Sequence, residues 1–196
     1  MKSLRKSRHF YSLPVVTLEE GKEIGHIKGI VIDPEEAAVV ALIIQKSGPF
    51  SEQKAIPYSR VVSVGDNAIT IQKATSVEKV GSLPHLVKLM KDKINLRGAR
   101  VITEGGAALG YVDEYLIDTE TGKITSFEIS GKFGEKFFKG KALLPAGEVR
   151  TIGKDVLVVR NGTEETLTWN EGAITKLAQK ARQFRGIPQK KDDQDE

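Results

Sequence analysis

The chain has 196 residues, a formal net charge of +4, and 39% hydrophobic and 29% charged residues, a composition typical of globular proteins. It contains no cysteine and three histidines, which excludes a disulfide framework, a thiolate nucleophile and a zinc-thiolate site. No apolar run approaches the roughly 20 residues that cross a bilayer, and the basic amino terminus leads into no apolar signal core. We therefore expect a cytoplasmic protein without a membrane span.

The first ten residues form a basic segment. Lys2, Arg5, Lys6 and Arg8 lie in it without any acidic residue. Such a segment either extends a basic surface or forms a solvated arm, and the sequence leaves both alternatives open.

The next part of the chain contains runs rich in β-branched residues that are separated by turn formers, a pattern that predicts short β-strands. The predicted strands are Val15–Thr17, Ile24–Asp33, Val39–Gln45, a short stretch near Ile56, Val61–Val64 and Ala68–Gln72. Glycine, proline, Asp and Asn occupy the turns between them, as turn geometry requires. Closely spaced strands of this kind predict a small antiparallel β-barrel over residues 10–77.

A helix is predicted over residues 78–95, linking this barrel to the rest of the chain. Ser82 is the predicted N-cap, and Pro84 falls in the first turn. Apolar residues then recur on one face at helical spacing: Leu83, Leu86, Val87, Met90 and Ile94.

The second half of the chain repeats the first. Residues 16–45 align without gaps on residues 101–130, and they include the identical pairs Gly25/Gly110 and Asp33/Asp118. Further along, the offset grows, which places an insertion between Ser130 and Lys141. A glycine repeated inside a strand pattern predicts a bulge or bend that lets a small sheet curl. The sequence therefore predicts a second barrel over residues 96–161 and a mainly β fold.

The predicted core repeats with the strands. In the first copy it is Val16, Ile27, Val31, Leu42 and Ile44, and in the second copy it is Val101, Val112, Leu116, Phe127 and Ile129.

A second helix is predicted at Asn170–Phe184, within a C-terminal helical segment of residues 162–186. Its apolar stripe contains Ile174, Leu177, Ala181 and Phe184. The final residues, 187–196, contain no apolar residue beyond Pro188, and we expect a disordered tail there.

Repeated carboxylates are the first candidate site. Asp33, Glu35 and their counterparts Asp118 and Glu120 could act as general acid and base or hold a hard cation. Each pair lies in a short polar connection between strands, so we favour capping of the turns by the Asp side chains. With no other acidic set at a suitable spacing, neither a metal nor a cofactor is expected.

The segment Gly131–Lys141 is the second candidate site and contains the insertion. It combines four lysines with three phenylalanines and one glutamate, which offers charge for phosphates and rings for stacking on bases. A structural role, with the rings under the barrel and the lysines in water, remains the alternative that we favour. The candidate contact residues are Lys132, Phe133, Lys136, Phe137, Phe138, Lys139 and Lys141.

Both copies share one motif set: a strand ending in Val, Gly-x-x-x-Gly, a β-rich run to Ile-Asp, a late Pro and a Val-x-x-x-Gly turn. This set resembles the PRC-barrel family, which includes the cytoplasmic domain of the photosynthetic reaction centre H subunit and the C-terminal domain of the ribosome maturation factor RimM. The resemblance covers about residues 11–72 and 96–161 and implies a small barrel that serves as a binding or assembly module without catalytic residues.

The resulting functional hypothesis is a non-enzymatic protein–protein adaptor with an unidentified protein partner. The alternative is an RNA- or ribosome-associated factor. The lysine-rich segment and the resemblance to the maturation factor support this alternative. The sequence does not indicate the oligomeric state.

Overall fold

The structure is a computed structural model that describes residues 4–44, 52–133 and 136–169, apart from the side chains of residues 132–140 and 168–169. Strands are its main element, and helices are few. A short strand β1 (Leu4–Lys6) and a one-turn helix α1 (Ser7–Phe10) form an amino-terminal arm before the first barrel.

Seven strands belong to the first barrel: β2 (Pro14–Thr17), β3 (Glu23–Asp33), β4 (Ala38–Ile44), β5 (Lys54–Pro57), β6 (Val61–Val64), β7 (Ile69–Ile71) and β8 (Glu78–Lys79). After helix α2 (Pro84–Asp92), the second barrel has β9 (Arg100–Thr103), β10 (Ala108–Asp118), β11 (Ile124–Phe133), β12 (Lys136–Pro145), β13 (Val149–Ile152), β14 (Val156–Val159) and β15 (Thr168–Trp169), with a one-turn helix α3 (Thr163–Thr166) before β15. Single 3₁₀ turns lie at Tyr58–Arg60, Ala74–Ser76, Val80–Ser82 and Ala146–Glu148.

The two sheets have the same strand order. The first runs β6-β7-β2-β3-β4-β5-β8, and the second runs β13-β14-β9-β10-β11-β12-β15 with β1 added to β10. Pairings are antiparallel except for β2 with β7 and β9 with β14, which are parallel. The predicted repeat is therefore confirmed at the level of topology.

The ungapped alignment is wrong by one residue at the first strand of each barrel. Val15 pairs with Gly25, and Val101 pairs with Gly110, so Val101 corresponds to Val15 and not to Val16. The parallel partners agree, since Val15 lies opposite Ile69 and Val101 opposite Leu157. A shift of one residue moves every side chain of a strand to the other face, which is why Val15 is buried and Val16 is only half-buried.

Most of the other predicted core residues lie in the barrel interior. Ile27, Leu42 and Ile44 do so in the first barrel, as do their counterparts Val112, Phe127 and Ile129 in the second. Val101 is also in the interior of the second barrel. Val31 is buried outside the barrel under α2, and Leu116 is half-buried. The core prediction is therefore confirmed for Val31, in the cluster under α2, and wrong for Leu116, whose neighbour Ile117 is buried in the barrel interior.

The repeated glycines form the predicted bends. Gly25 and Gly110 have φ values of 138° and 136°, a region that side-chain-bearing residues rarely adopt. The strand register shifts beside both of them. The expectation of a bend at this position is confirmed in both barrels.

Helix α2 lies within the predicted linker but begins later than its predicted cap. Leu83 is the N-cap and Pro84 the first helical residue, whereas the Ser82 hydroxyl donates a hydrogen bond to the Lys79 carbonyl at 2.7 Å. The prediction of Ser82 as N-cap is wrong because a 3₁₀ turn ends there. The helix buries Leu86 and Leu89 on the outer face of the first barrel, against Val31, Ala41, Ile43 and Ala55.

The predicted helix beyond Trp169 and the tail at 187–196 lie outside the described residues. The described chain ends with β15, which pairs with β12 through Trp169 and Ala142.

The barrels meet through equivalent turns. The Val39 amide donates to the Gly122 carbonyl at 2.8 Å, and the Ile124 amide donates to the Ala37 carbonyl at 2.8 Å. Val39 and Ile124 occupy equivalent positions in the two copies, as do Ala37 and Gly122. The two hydrogen bonds between the turns are therefore reciprocal and equivalent. The Tyr58 hydroxyl adds a hydrogen bond to the Thr119 carbonyl at 3.0 Å. Together with a buried apolar cluster that contains residues of both barrels, this junction fixes their relative orientation.

Candidate binding surfaces

The repeated Asp residues cap their turns. Asp33 Oδ1 accepts hydrogen bonds from the amides of Glu35 at 2.9 Å and Glu36 at 3.3 Å. Asp118 Oδ1 accepts from Glu120 at 3.0 Å and Thr121 at 3.3 Å in the same way. This is the turn-capping role that was favoured for Asp33 and Asp118 over a cation site.

The three histidines have separate surroundings. His9 Nε2 lies 2.9 Å from the Gly65 carbonyl, His26 lies 3.6 Å from Glu23, and His85 lies 3.4 Å from Asp33. Within the described ranges, no group of three or more His, Asp and Glu residues could hold a metal ion. In the same part of the chain, no helix has both the length and the apolar character needed to cross a membrane.

The amino-terminal arm lies on an acidic face of the second barrel. Strand β1 pairs with β10 through Leu4–Asp118, Arg5–Ile117 and Lys6–Leu116. Lys6 Nζ lies 2.6 Å from Glu128 Oε1. The arm is therefore an ordered strand and helix, which excludes a fully solvated arm.

Glu114 is the centre of this contact and is fully buried. Its carboxylate accepts hydrogen bonds from the Ser7 hydroxyl, from Arg8 Nε at 2.5 Å and from the Tyr115 amide at 3.0 Å. Burial raises the pKa of Glu114, but the hydrogen bonds from Arg8, Ser7 and the Tyr115 amide outweigh it and hold this pKa below its usual range. The group is thus an ionised structural anchor.

Sequence reasoning missed Glu114. Its signal is a carboxylate in the middle of a β-rich strand, in a chain whose first ten residues are basic. The corresponding residue of the first barrel is Gly29, so comparison of the copies could have singled out position 114.

The lysine-rich segment forms the end of a β-hairpin. In its backbone register Lys132 lies opposite Phe137, and Phe133 lies opposite Lys136. The side chains of the candidates Lys132, Phe133, Lys136, Phe137, Phe138 and Lys139 lie outside the described residues.

Lys141 is the one candidate of this segment whose side chain is described. Its Nζ lies 2.9 Å from Asp113 Oδ2 and 3.8 Å from Glu128 Oε2. The hydrogen bond from Lys141 is the main cause that lowers the pKa of Asp113. The charge of Lys141 is therefore shared with two carboxylates of the barrel.

An apolar groove of about 490 Å³ lies beside the base of this hairpin. Its lining consists of Arg100, Val101, Ile102, Ala108, Gly110, Tyr111 and Gly131. Tyr111 is 51% exposed. Gly110 and Gly131 pack backbone to backbone beneath its ring, where a Cβ on Gly131 would lie 3.0 Å from Gly110 Cα. Sequence reasoning missed the groove because residues of three different strands, β9, β10 and β11, line it.

A family model described as PRC-barrel domain matches residues 5–77 and 94–165. The chain belongs to the PRC-barrel family. It is a tandem member, since each match covers one barrel, and the PRC-barrel is generally a binding or assembly module. A search of curated proteins finds no match to this tandem PRC-barrel chain.

Proposed function

We propose that this tandem PRC-barrel protein is a non-enzymatic adaptor that binds another protein through the Tyr111 groove. The observation that carries the proposal is a half-exposed tyrosine over a preformed apolar groove. Exposed Tyr and Arg side chains beside apolar pockets are typical of the residues that dominate protein–protein binding energy. Arg100 supplies the second of these residue types at the groove.

The charged groups favour a binding role over a catalytic one. General acid–base catalysis requires carboxyl pKa values near the working pH. Hydrogen bonds lower the pKa of Glu20, Asp113 and Glu114 instead, which keeps these groups ionised. Burial raises the pKa of Tyr58 and Tyr115 and thus keeps both phenols neutral.

The rigid junction between the barrels also fits an adaptor. Ordering two binding surfaces during association costs free energy, and a preorganised scaffold avoids that cost. The reciprocal bonds between the Val39 and Ile124 turns hold the two barrels in one arrangement before any partner arrives.

The test is affinity purification of the tagged full chain from its native host, compared with two variants. Wild type should recover one stoichiometric protein, and Tyr111→Ala should reduce its recovery about tenfold, as loss of a central aromatic contact does. Val62→Ala changes a residue that is 53% exposed elsewhere on the surface and should leave recovery unchanged. Recovery of no protein at low and physiological salt, or equal recovery by all three chains, would contradict the proposal.

The second candidate function is an RNA- or ribosome-associated factor, and the hairpin favours it. Four lysines lie within Gly131–Lys141, and the backbone holds the segment as two paired strands. With Lys141 engaged by Asp113, three lysines remain for phosphates. The logarithm of affinity for single-stranded RNA should then fall with the logarithm of salt at a slope of about −2, at roughly 0.7 per contact.

Phe137→Ala tests stacking in this alternative. A ring stacked on a base contributes about 1–3 kcal/mol, whereas a change of one lysine should chiefly flatten the salt slope. If combined replacement of Lys132, Lys136 and Lys139 by Gln leaves RNA binding unchanged, or if no RNA binds at low salt, the RNA alternative is rejected and the adaptor proposal stands alone.

A further inference from the structure

The second barrel shows how a strand adds to this fold. At the end of β10, the edge that is not paired with β11 accepts β1 through Leu116, Ile117 and Asp118. The added strand is antiparallel. Its Lys6 contacts Glu128, and Arg8 of the following helix α1 contacts Glu114. The addition of β1 to β10 is thus an example, within this chain, of a strand that extends the sheet of a barrel.

At the equivalent edge of the first barrel, the described residues contain no added strand. Val31, Ile32 and Asp33 correspond to the residues of β10 that pair with β1, and on one side they pair with β4. On the other side, β2 pairs with β3 only through Glu23–His26. Within the described residues, no strand pairs with β3 on that side at residues 31–33.

A cleft of about 260 Å³ lies along this edge, between β3 and α2. Five consecutive residues of β3, Lys28–Ile32, line it. Ile43 of β4 and Gln53 also line it. Because neighbouring residues of a strand point to opposite faces, a cleft that touches five in a row and Ile43 extends from the outer face of the sheet to the edge of β3. Leu89, Met90 and Lys93 form its opposite wall.

This cleft carries basic residues, whereas the equivalent surface of the second barrel, beneath the amino-terminal arm, carries acidic residues. Lys28 stands where the second barrel has Asp113, and Gly29 and Ile43 stand where it has Glu114 and Glu128. Lys28 and Lys93 are exposed, and neither forms an ion pair within the described part of the chain. A basic strand would be repelled here, and an acidic one attracted.

We propose that the β3 edge of the first barrel binds an extended acidic segment of a partner protein as an added antiparallel strand. Main-chain hydrogen bonds to the edge would supply affinity, and the two lysines with the apolar wall of α2 would select acidic segments that carry apolar residues. The inference names a partner class for the proposed adaptor and rests on that role, although its surface is separate from the Tyr111 groove.

The test uses the full chain and two synthetic peptides. One peptide has the sequence of residues 1–10, and the other replaces its Lys2, Arg5, Lys6 and Arg8 with Glu. Fluorescence anisotropy at low salt should show that the acidic peptide binds at least about tenfold more tightly than the basic one, as reversed charges require. Hydrogen exchange should slow in the segment 28–33 when the acidic peptide is bound.

Charge variants locate the binding. Lys28→Glu combined with Lys93→Glu should weaken the acidic peptide at least about tenfold. Lys22→Glu combined with Lys154→Glu makes the same change in net charge at exposed lysines away from the cleft and should leave its binding within about twofold.

A third variant should invert the selectivity. Lys28→Asp combined with Gly29→Glu places the charges of the second barrel on β3. A Cβ at Gly29 meets Ile43 at an ordinary 3.5 Å, so the backbone of β3 has room for a side chain to begin there. This variant should prefer the basic peptide.

Failure to bind the acidic peptide, equal binding by the Lys28→Glu/Lys93→Glu chain, or binding without protection of residues 28–33 would overturn the inference. Preferential binding of the basic peptide by wild type would overturn it as well and would indicate arm exchange between copies. If a Tyr111-dependent partner is still recovered from the host in any of these cases, the adaptor proposal survives while the β3 inference fails.

Discussion

The outer faces of the two barrels are covered in different ways although their interiors repeat. On the first barrel, Leu86 and Leu89 of α2 lie on an apolar face that contains Val31 and Ile43. On the second barrel, the basic arm lies on a face that contains Glu114 and Glu128. Interior positions must fill the same space in both copies, whereas each outer face only has to match its own cover. The two copies therefore differ in the element that covers the outer face.

The two covers also respond differently to conditions. Apolar contacts under α2 do not depend on charge, whereas the arm depends on ionised carboxylates and is weakened by salt and acid. Acid should consequently loosen the second barrel's cover before the first barrel's.

Truncation of the shared interior gives the largest expected effect. Phe127 and its counterpart Leu42 are both fully buried. Phe127→Ala should lower the free energy of unfolding by about 3–5 kcal/mol and Leu42→Ala by about 2–5 kcal/mol, whereas Val62→Ala on the surface should change it by less than about 0.5 kcal/mol. Urea titration measures all three. A loss below about 1 kcal/mol at Phe127 would mean that its strand face is assigned wrongly.

Gly122→Ala is expected to have the next largest effect, because it acts at the junction. Gly122 has a φ of 75°, and an added Cβ would lie 2.7 Å from the Val39 carbonyl oxygen and 2.8 Å from the Tyr58 ring. Gly106 has a similar φ of 83° with nothing within 4 Å of a Cβ. Gly106→Ala should cost about 1–2 kcal/mol from backbone strain, and Gly122→Ala should cost clearly more. Equal losses would show that the junction yields freely.

Glu114→Gln tests the charged contact between the amino-terminal arm and the second barrel, and leaves the apolar contact between α2 and the first barrel unchanged. The pKa of Glu114 in the folded chain lies below the value of about 4.3 in unfolded chains. Its ionised form therefore stabilises the fold above that pH, and this contribution is lost as the pH falls through the lower, folded-state pKa. The variant should be less stable than wild type at pH 7 by about 1–3 kcal/mol, the range for hydrogen bonds to charged groups.

The difference between Glu114→Gln and wild type should shrink in urea titrations at pH 3. Glu104→Gln removes an exposed carboxylate 3.1 Å from Arg150 and should cost less than about 1 kcal/mol at pH 7. A pH-independent difference at Glu114 would contradict the assignment of an ionised anchor.

Ala37→Gly should have the smallest effect and the opposite sign. Ala37 has a φ of 46° at the position that Gly122 occupies in the second turn. Glycine removes the left-handed strain of about 1–2 kcal/mol but loses about 0.5–1 kcal/mol to greater freedom of the unfolded chain. A net gain of up to about 1.5 kcal/mol in thermal or urea unfolding is expected. Ala38→Gly, next to it in β4, should instead destabilise.

The sequence predicted features that local rules govern. Turn capping by Asp33 and Asp118 follows from side-chain chemistry at short range. The bends at Gly25 and Gly110 follow from a glycine inside a β pattern. The apolar pattern that both copies share predicted the burial of Leu42 and Phe127.

Features that depend on pairing between distant segments escaped prediction. The one-residue shift between Val15 and Val16 is visible only in the strand register. The burial of Glu114 requires Ser7 and Arg8, more than a hundred residues away, to reach it. The Tyr111 groove is lined by residues of three strands, β9, β10 and β11. No periodicity within one segment encodes these contacts.

The contacts at the junction between the barrels should make the whole chain unfold as one cooperative unit. Differential scanning calorimetry of the full chain tests it directly, because a single two-state unit has equal calorimetric and van't Hoff enthalpies. The account predicts one transition with an enthalpy ratio near one. Two transitions, or a van't Hoff enthalpy of about half the calorimetric value, would mean that the barrels unfold separately and would contradict it.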